Sequence, residues 1–205
     1  AKHDGEPVHR LADFTCYSFA PTKHLTTGDG GAVVCREPAA AEWIRRLAWF
    51  GMRRKTVPPE RWPSDQNIPE AGFKMHMNGI AAALGLAGLD GLDAALARCR
   101  ANAAIYHTRI GSEQAYTPDA APWTYTVFVD FVDPFIAYMA ERGVVVGQPH
   151  RRNDLNDFAG HGGTRLRHTE WVQARYCSIP VGWWVTEEDA ERIASAVLAY
   201  PGLLR

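Results

Sequence analysis

Residues 11–35 read LADFTCYSFAPTKHLTTGDGGAVVC, and the rest of the chain is organised around them. Phe14 to Phe19 is aromatic-rich and partly alternating, and Ala32 to Cys35 is a short apolar run. Both are expected to be strands. Pro21, Gly28, Gly30 and Gly31 mark the stretch between them as a loop. One lysine, Lys23, sits in that loop, five residues after Ser18. A lysine flanked by apolar strands can lie in a protein-lined pocket. Desolvation there favours the neutral amine, a nucleophile toward carbonyls. Ser18 and Thr22 offer hydroxyls, and a Gly-rich backbone offers N–H groups to a phosphate. Taken singly these features are ordinary, since most loop lysines are solvated and GDGG is a common hairpin turn.

Lysine is the residue that forms Schiff bases with pyridoxal phosphate. The whole run S-F-A-P-T-K-H-L-T-T-G-D-G-G-A-V-V is far more specific than its parts. It closely resembles the active-site segment of DegT/DnrJ-type sugar aminotransferases, pyridoxal-phosphate enzymes of the aspartate-aminotransferase fold. The resemblance implies that Lys23 holds pyridoxal 5'-phosphate as an internal aldimine and that Ser18 binds the cofactor phosphate. Related sugar dehydratases carry histidine at the Lys23 position, so the lysine points to amino transfer, although His24 stands beside it. The implied fold class is α/β: part of the large domain of a fold-type-I pyridoxal-phosphate enzyme, followed by a small α+β C-terminal domain.

A chain of 205 residues can make one large domain or two small ones, and 46% apolar residues suffice for a core. The net charge of −1 gives no bulk attraction to nucleic acid or to an acidic membrane. Cys16, Cys35, Cys99 and Cys177 are far apart and form no CxxC pair, so reduced thiols and no metal site are expected. The longest apolar runs are read as well short of a membrane span. The polar opening AKHDGEPVHR lacks a signal-peptide pattern, and the cytoplasm is the expected compartment. That opening also lacks an initiator methionine. The family resemblance covers essentially this whole chain but only about the C-terminal half of the family's length. An N-terminal half of the same enzyme is therefore an expected partner, bringing the carboxylate for the pyridine nitrogen and the ring-stacking residue.

Past the lysine loop, Glu37 to Phe50 reads as a helix with Pro38 in its first turn and Gly51 as its stop. Met52 to Glu70, rich in proline and basic residues, reads mostly as solvated loop. Gly72 to Met77 is expected to be extended. Asn78 caps a helix from Gly79 through Ala97 toward Tyr106, and Leu92 to Ile110 continues as a connecting helix. GFKMHMNGIAAALGLAGL resembles the family's dimer-interface stretch, which reaches the cofactor phosphate of the neighbouring subunit. Lys74, His76 and Asn78 carry that implied role as a group. His76 reads equally well as a structural histidine beside the core. Gly79 and Gly88 replace more polar residues, and glycine in a helix costs ~1 kcal/mol against alanine. The expected division is 1–90 for the large-domain part, 91–110 for the connecting helix and 111–205 for the small domain.

In the second half, Trp123 to Val132 reads as a strand, Pro134 to Arg142 as a helix and Val144 to Val146 as a second short strand. Thr186 can cap a helix reaching Tyr200, with Asp189 in its first turn. GQPHRRNDLNDFA (147–159) resembles a family segment near the substrate, which makes His150 and Arg151 candidates for substrate phosphates. Arg152 reads better as an ion pair with Asp154. Trp183 and Trp184 read as packing residues, with an aromatic rim for a base as the alternative. The implied function is amination of a keto-sugar nucleotide with a donor such as glutamate, by a homodimer of the complete unit and without nucleic acid or membrane partners. Two alternatives stand beside it: a structural or regulatory half-protein, and another pyridoxal-phosphate reaction such as sugar dehydration or amino-cyclitol transamination.

Overall fold

The computed structural model describes residues 1–53, 68–111, 117–156 and 166–204. The chain divides into two compact units, Ala1–Leu92 and Asp93–Arg205.

In the first unit, β1 (Lys2–His3) and β2 (Glu6–Pro7) make a tight hairpin turned at Asp4 and Gly5, both with positive φ. β3 (Phe14–Ser18) and β4 (Gly31–Cys35) pair antiparallel, Phe14 opposite Cys35 and Ser18 opposite Gly31. The strand–loop–strand reading therefore holds. Among the described residues β3 pairs with antiparallel β4 alone, because residues 19–30 double back and bring β4 onto the adjacent edge.

Helix α1 (Pro38–Leu47) begins with proline after the extended Glu37, as expected. It stops three residues short of Phe50 because a following strap takes over its last carbonyls. Phe73 N–H donates to Leu47 O (2.7 Å), and Met75 N–H donates to Ala48 O (3.0 Å). Those groups would otherwise be orphaned at the helix end. Phe50 and Gly51 then adopt φ of 57° and 76°, and a Cβ on Gly51 would overlap the Glu70 carbonyl. Of the segment read as solvated loop, residues 54–67 lie outside the described residues. Glu70 departs from that reading, because its carboxylate accepts from the Trp43 indole (3.0 Å) and from Arg46.

Residues 72–78 are non-helical, and Asn78 Oδ1 accepts the Ala81 N–H at 2.9 Å, so the expected cap is formed. The two helical stretches read beyond it are one helix, α2 (Gly79–Ile110), of 32 residues. This corrects the judgement about membrane length, for α2 is long and apolar enough to cross a membrane by length and composition. Counting apolar runs broke the segment at Gly88, Asp90, Gly91 and Asp93, which a continuous helix absorbs. Its second half is a core helix, with Cys99, Asn102, Ala103, Tyr106 and Ile110 buried.

The second unit is a small α+β domain, as expected. β5 (Thr124–Val129) lies between β6 (Tyr176–Pro180) and β7 (Leu203–Leu204), antiparallel to both. Its alternation buries Tyr125, Val127 and Val129. α3 (Val132–Ala140) and α5 (Glu187–Leu198) pack on that face through Phe135 and Met139, and through Ala190, Ile193, Ala194 and Val197. Thr186 caps α5, its Oγ1 accepting from Asp189 N–H at 3.1 Å. A strand expected over Val144–Val146 is absent. The Val144 N–H closes the end of α3 on Met139 O, and the segment's backbone meets β6 at Gly147, in a single bridge to Ser178. The third strand is β7 instead. Short helix α4 (Arg167–Gln173) precedes β6.

Candidate active site

The lysine loop is pinned by its own backbone and by short polar side chains. Phe19 N–H donates to Gly30 O (2.9 Å) and Thr27 N–H to Phe19 O (3.0 Å), closing the neck of the loop. The Thr26 hydroxyl donates to Phe19 O (3.1 Å) and accepts from Gly28 N–H (3.0 Å). Asp29 Oδ1 accepts from Gly30 N–H (2.8 Å), and the Thr27 hydroxyl donates to Asp29 O. Inside this frame a turn forms as Lys23 N–H donates to Ala20 O (3.0 Å). Ser18 closes β3 at the edge of the turn, its Oγ accepting from Ala20 N–H at 3.3 Å. That bond uses a lone pair and leaves the Ser18 hydroxyl proton to donate. Lys23 and His24 are half-buried, and Ser18 is exposed.

The loop seats on the first turns of α2, and two glycines make room for it. A Cβ on Gly85 would sit 2.9 Å from Thr27 Cγ2, and one on Gly88 would sit 2.7 Å from Leu25 Cδ1. The departure from the family pattern at Gly88 thus has a packing cause. Thr27 is buried beneath the loop.

A second group surrounds the strap. Lys74 forms an antiparallel bridge with Trp49, and Lys74 itself is exposed. His76 meets Trp49 edge-on at 3.9 Å between ring centroids, with Phe50 at 6.4 Å. Its Nδ1 is buried without a hydrogen-bond partner among the described residues. The Asn78 carbonyl is committed to capping α2, which leaves its amide nitrogen for a ligand. The two groups adjoin where Met77 Cε would lie 3.4 Å from a Cβ on Gly30. The Glu70 clamp that anchors the strap has no motif in the sequence. Arg46, and then Trp43, hold the Glu70 carboxyl below the usual range by hydrogen bonding.

In the second unit, His150 is exposed, its ring 5.7 Å from that of Trp123. Its backbone is tied to Tyr176, whose hydroxyl donates to His150 O (2.6 Å). Arg151 is exposed. Arg152 grips Asp154 in two bonds of 3.0 and 2.5 Å, the structural ion pair expected of it. Trp183 and Trp184 are 56% and 60% exposed and T-shaped to each other, so the packing read for them is partial, with the Trp184 ring lying against Gly182. The buried Asn102 donates to the carbonyls of Val181, Gly182 and Val185 and thereby fixes the turn that holds both indoles out.

Solved structures with the same fold are sugar aminotransferases, which defines the class as pyridoxal-phosphate enzymes of fold type I. The chain belongs to the DegT/DnrJ/EryC1/StrS aminotransferase family, whose model matches residues 1–198. The sugar aminotransferase CalS13 from Micromonospora echinospora is 28% identical with a TM-score of 0.84, over 96% of this chain and 55% of that one. AtS13 from Actinomadura melliaura is 31% identical with a TM-score of 0.87, over 97% and 54%. DesI, solved in the presence of its TDP-sugar product, is 27% identical with a TM-score of 0.74, over 94% and 50%. This chain therefore spans about half the length of the structures it matches. Pyridoxal 5'-phosphate is the cofactor of the family.

Proposed function

We propose that the complete protein is a pyridoxal-phosphate-dependent aminotransferase acting on a keto-sugar nucleotide, with Lys23 as its catalytic lysine. The observation that carries this reading is the lysine turn itself, a Ser18–Lys23 turn framed by β3, β4 and Gly30 within a chain of this family. The donor set fits the cofactor, since Ser18 offers a hydroxyl proton to a phosphate and Lys23 an amine to an aldehyde. When bound, pyridoxal phosphate supplies an electron sink that stabilises a carbanion. The pinned neck of the loop holds Lys23 in register with Ser18. Lys23 Nζ, once released, holds and moves the proton between carbon centres as general base and then general acid. His150 and Arg151 are assigned to the substrate, and Lys74, His76 and Asn78 to the cofactor phosphate of a second copy.

The exposed surfaces support a larger assembly. Phe14, Tyr17, Val33 and Val34 leave the β3–β4 hairpin 39–52% exposed, and Ile80, Leu84, Leu86 and Leu89 leave the start of α2 50–79% exposed. Exposed apolar side chains on both faces of the hairpin and around the start of α2 are surface that further chain can cover. The N-terminal half of the family fold is assigned to the hairpin, and a second copy to the 72–78 segment and early α2. A cytoplasmic setting accords with a sugar-nucleotide substrate. The test is cofactor loading of the complete protein, followed by borohydride reduction and peptide mapping. The label is expected on Lys23, and a label elsewhere or none at all overturns the reading.

A further inference from the structure

The strap of residues 68–78 carries Lys74, His76 and Asn78, and its apolar side chains bury little. Phe73, Met75 and Met77 are 56%, 71% and 37% exposed. Apolar packing within this unit therefore does little to fix the strap, and its position rests on polar tethers. At its far end Asn78 caps α2. In its middle, Phe50 N–H donates to Phe73 O (3.0 Å), and the Phe73 and Met75 N–H groups donate to the end of α1. At its near end the tether is a side chain, Glu70. Its two carboxylate oxygens accept separately, Oε2 from Trp43 Nε1 and Oε1 from Arg46 Nε. Trp43 and Arg46 are three positions apart, on one face of α1. The Arg46 and Glu70 side chains are 21% and 30% exposed, so water competes weakly for the pair.

Backbone contact makes the register of the strap exacting. A Cβ on Gly72 would lie 2.0 Å from Gly51 N and 2.8 Å from Leu47 O, and one on Gly51 would lie 2.0 Å from Glu70 O. The strap approaches the end of α1 this closely because neither position carries a side chain. Lys74 follows two residues after Gly72 and bridges Trp49 through its backbone. Lys74 is exposed, and its ammonium has no hydrogen-bond or ion-pair partner among the described residues. Where that ammonium stands is therefore set by the backbone that carries it.

We propose that Glu70 is a positioning residue for the cofactor, setting through Trp43 and Arg46 where the strap presents Lys74 to the phosphate. This role rests on the reading that assigns Lys74, His76 and Asn78 to the cofactor phosphate of a second copy. A lysine ammonium is a compact point charge, and its attraction to a phosphate falls with distance. A displaced strap thus weakens the attraction without removing any contacting group. Glu70 spends its carboxylate on α1 and acts through Lys74, so its effect on affinity disappears once Lys74 is gone. An ion pair that only stabilised the fold would lower the thermal transition and leave cofactor affinity alone.

The test is titration of the complete protein, freed of cofactor, with pyridoxal 5'-phosphate well below the thermal transition, together with hydrogen exchange. Glu70→Gln is expected to weaken cofactor binding by about fivefold. It is also expected to speed amide exchange at Phe73 and Met75, which donate to α1, while residues 14–18 and 31–35 exchange as in the parent. Lys74→Ala is expected to weaken binding further, and the Glu70→Gln/Lys74→Ala double variant to bind as Lys74→Ala does. Should Glu70→Gln lose its thermal transition, Trp43→Phe takes its place in the same cycle, because it removes one donor from a side chain that is 46% exposed. Affinity weakened by Lys74→Ala but untouched at the clamp, or losses that multiply in full in the double variant, would overturn the positioning role and leave the assignment of Lys74 standing. Affinity unchanged by Lys74→Ala would overturn both.

Discussion

Alanine at Gly85 tests whether α2 seats the lysine loop. Replacing a helical glycine by alanine normally stabilises by ~1 kcal/mol, because the unfolded chain loses freedom. Gly91 is exposed in α2, and an added Cβ meets nothing within 4 Å, so Gly91→Ala should show that full gain. At Gly85 the Cβ meets Thr27 Cγ2 at 2.9 Å. Thr27 cannot rotate away cheaply, being β-branched and buried with its hydroxyl and N–H both donating within the loop. Overpacking of this kind costs ~1–3 kcal/mol. The net effect of Gly85→Ala is then between neutral and about 2 kcal/mol destabilising, some 1–3 kcal/mol below Gly91→Ala. Gly88→Ala should fall between them, since it meets only the mobile end of Leu25. Urea denaturation of the complete protein gives the ranking, and cofactor titration shows whether the displaced loop also loses affinity. If Gly85→Ala stabilises as much as Gly91→Ala, the loop does not rest on α2 as described.

Lys23→Ala should abolish amino transfer while leaving the circular dichroism spectrum unchanged, and turnover at the parent rate would refute the assignment. Ser18→Ala should weaken cofactor binding by roughly one to two decades, as a charge-assisted bond worth ~1.5–3 kcal/mol is lost. An unchanged dissociation constant would remove Ser18 from the site. The Glu70 carboxyl is held below its usual range when folded, so its contribution to stability is fully present above the ordinary carboxylate pKa. That contribution is lost as pH falls through the lowered value. Glu70→Gln should therefore destabilise at neutral pH and flatten the acid limb of stability below the ordinary carboxylate pKa, and parallel acid limbs would argue against the clamp. Residues 1–205 expressed alone should associate and bind pyridoxal phosphate poorly, whereas sedimentation as a folded monomer with tight cofactor binding would refute the need for further chain.

Several features were legible along the chain because they are local. The period-2 burial of Tyr125, Val127 and Val129, the Thr186 and Asn78 caps, and the proline that starts α1 each depend on residues within a few positions. The lysine turn was legible for the same reason, since Ser18, Lys23 and the glycines share one loop.

The sequence by itself determined the family, and it set Ser18 and Lys23 at the short fixed spacing that the proposed cofactor chemistry needs. Tertiary structure alone decided where α1 stops, since the carbonyls that end it meet donors from residues 73 and 75. It decided that β7 rather than Val144–Val146 completes the sheet, because strand pairing is a contest between segments far apart in sequence. It also decided that Gly85 and Gly88 are seats for a loop, that Glu70 is clamped, and that Trp183 and Trp184 face outward. In each case the deciding partner lies more than twenty residues away, and a hydrophobic or polar residue carries no mark of a partner that only folding brings beside it.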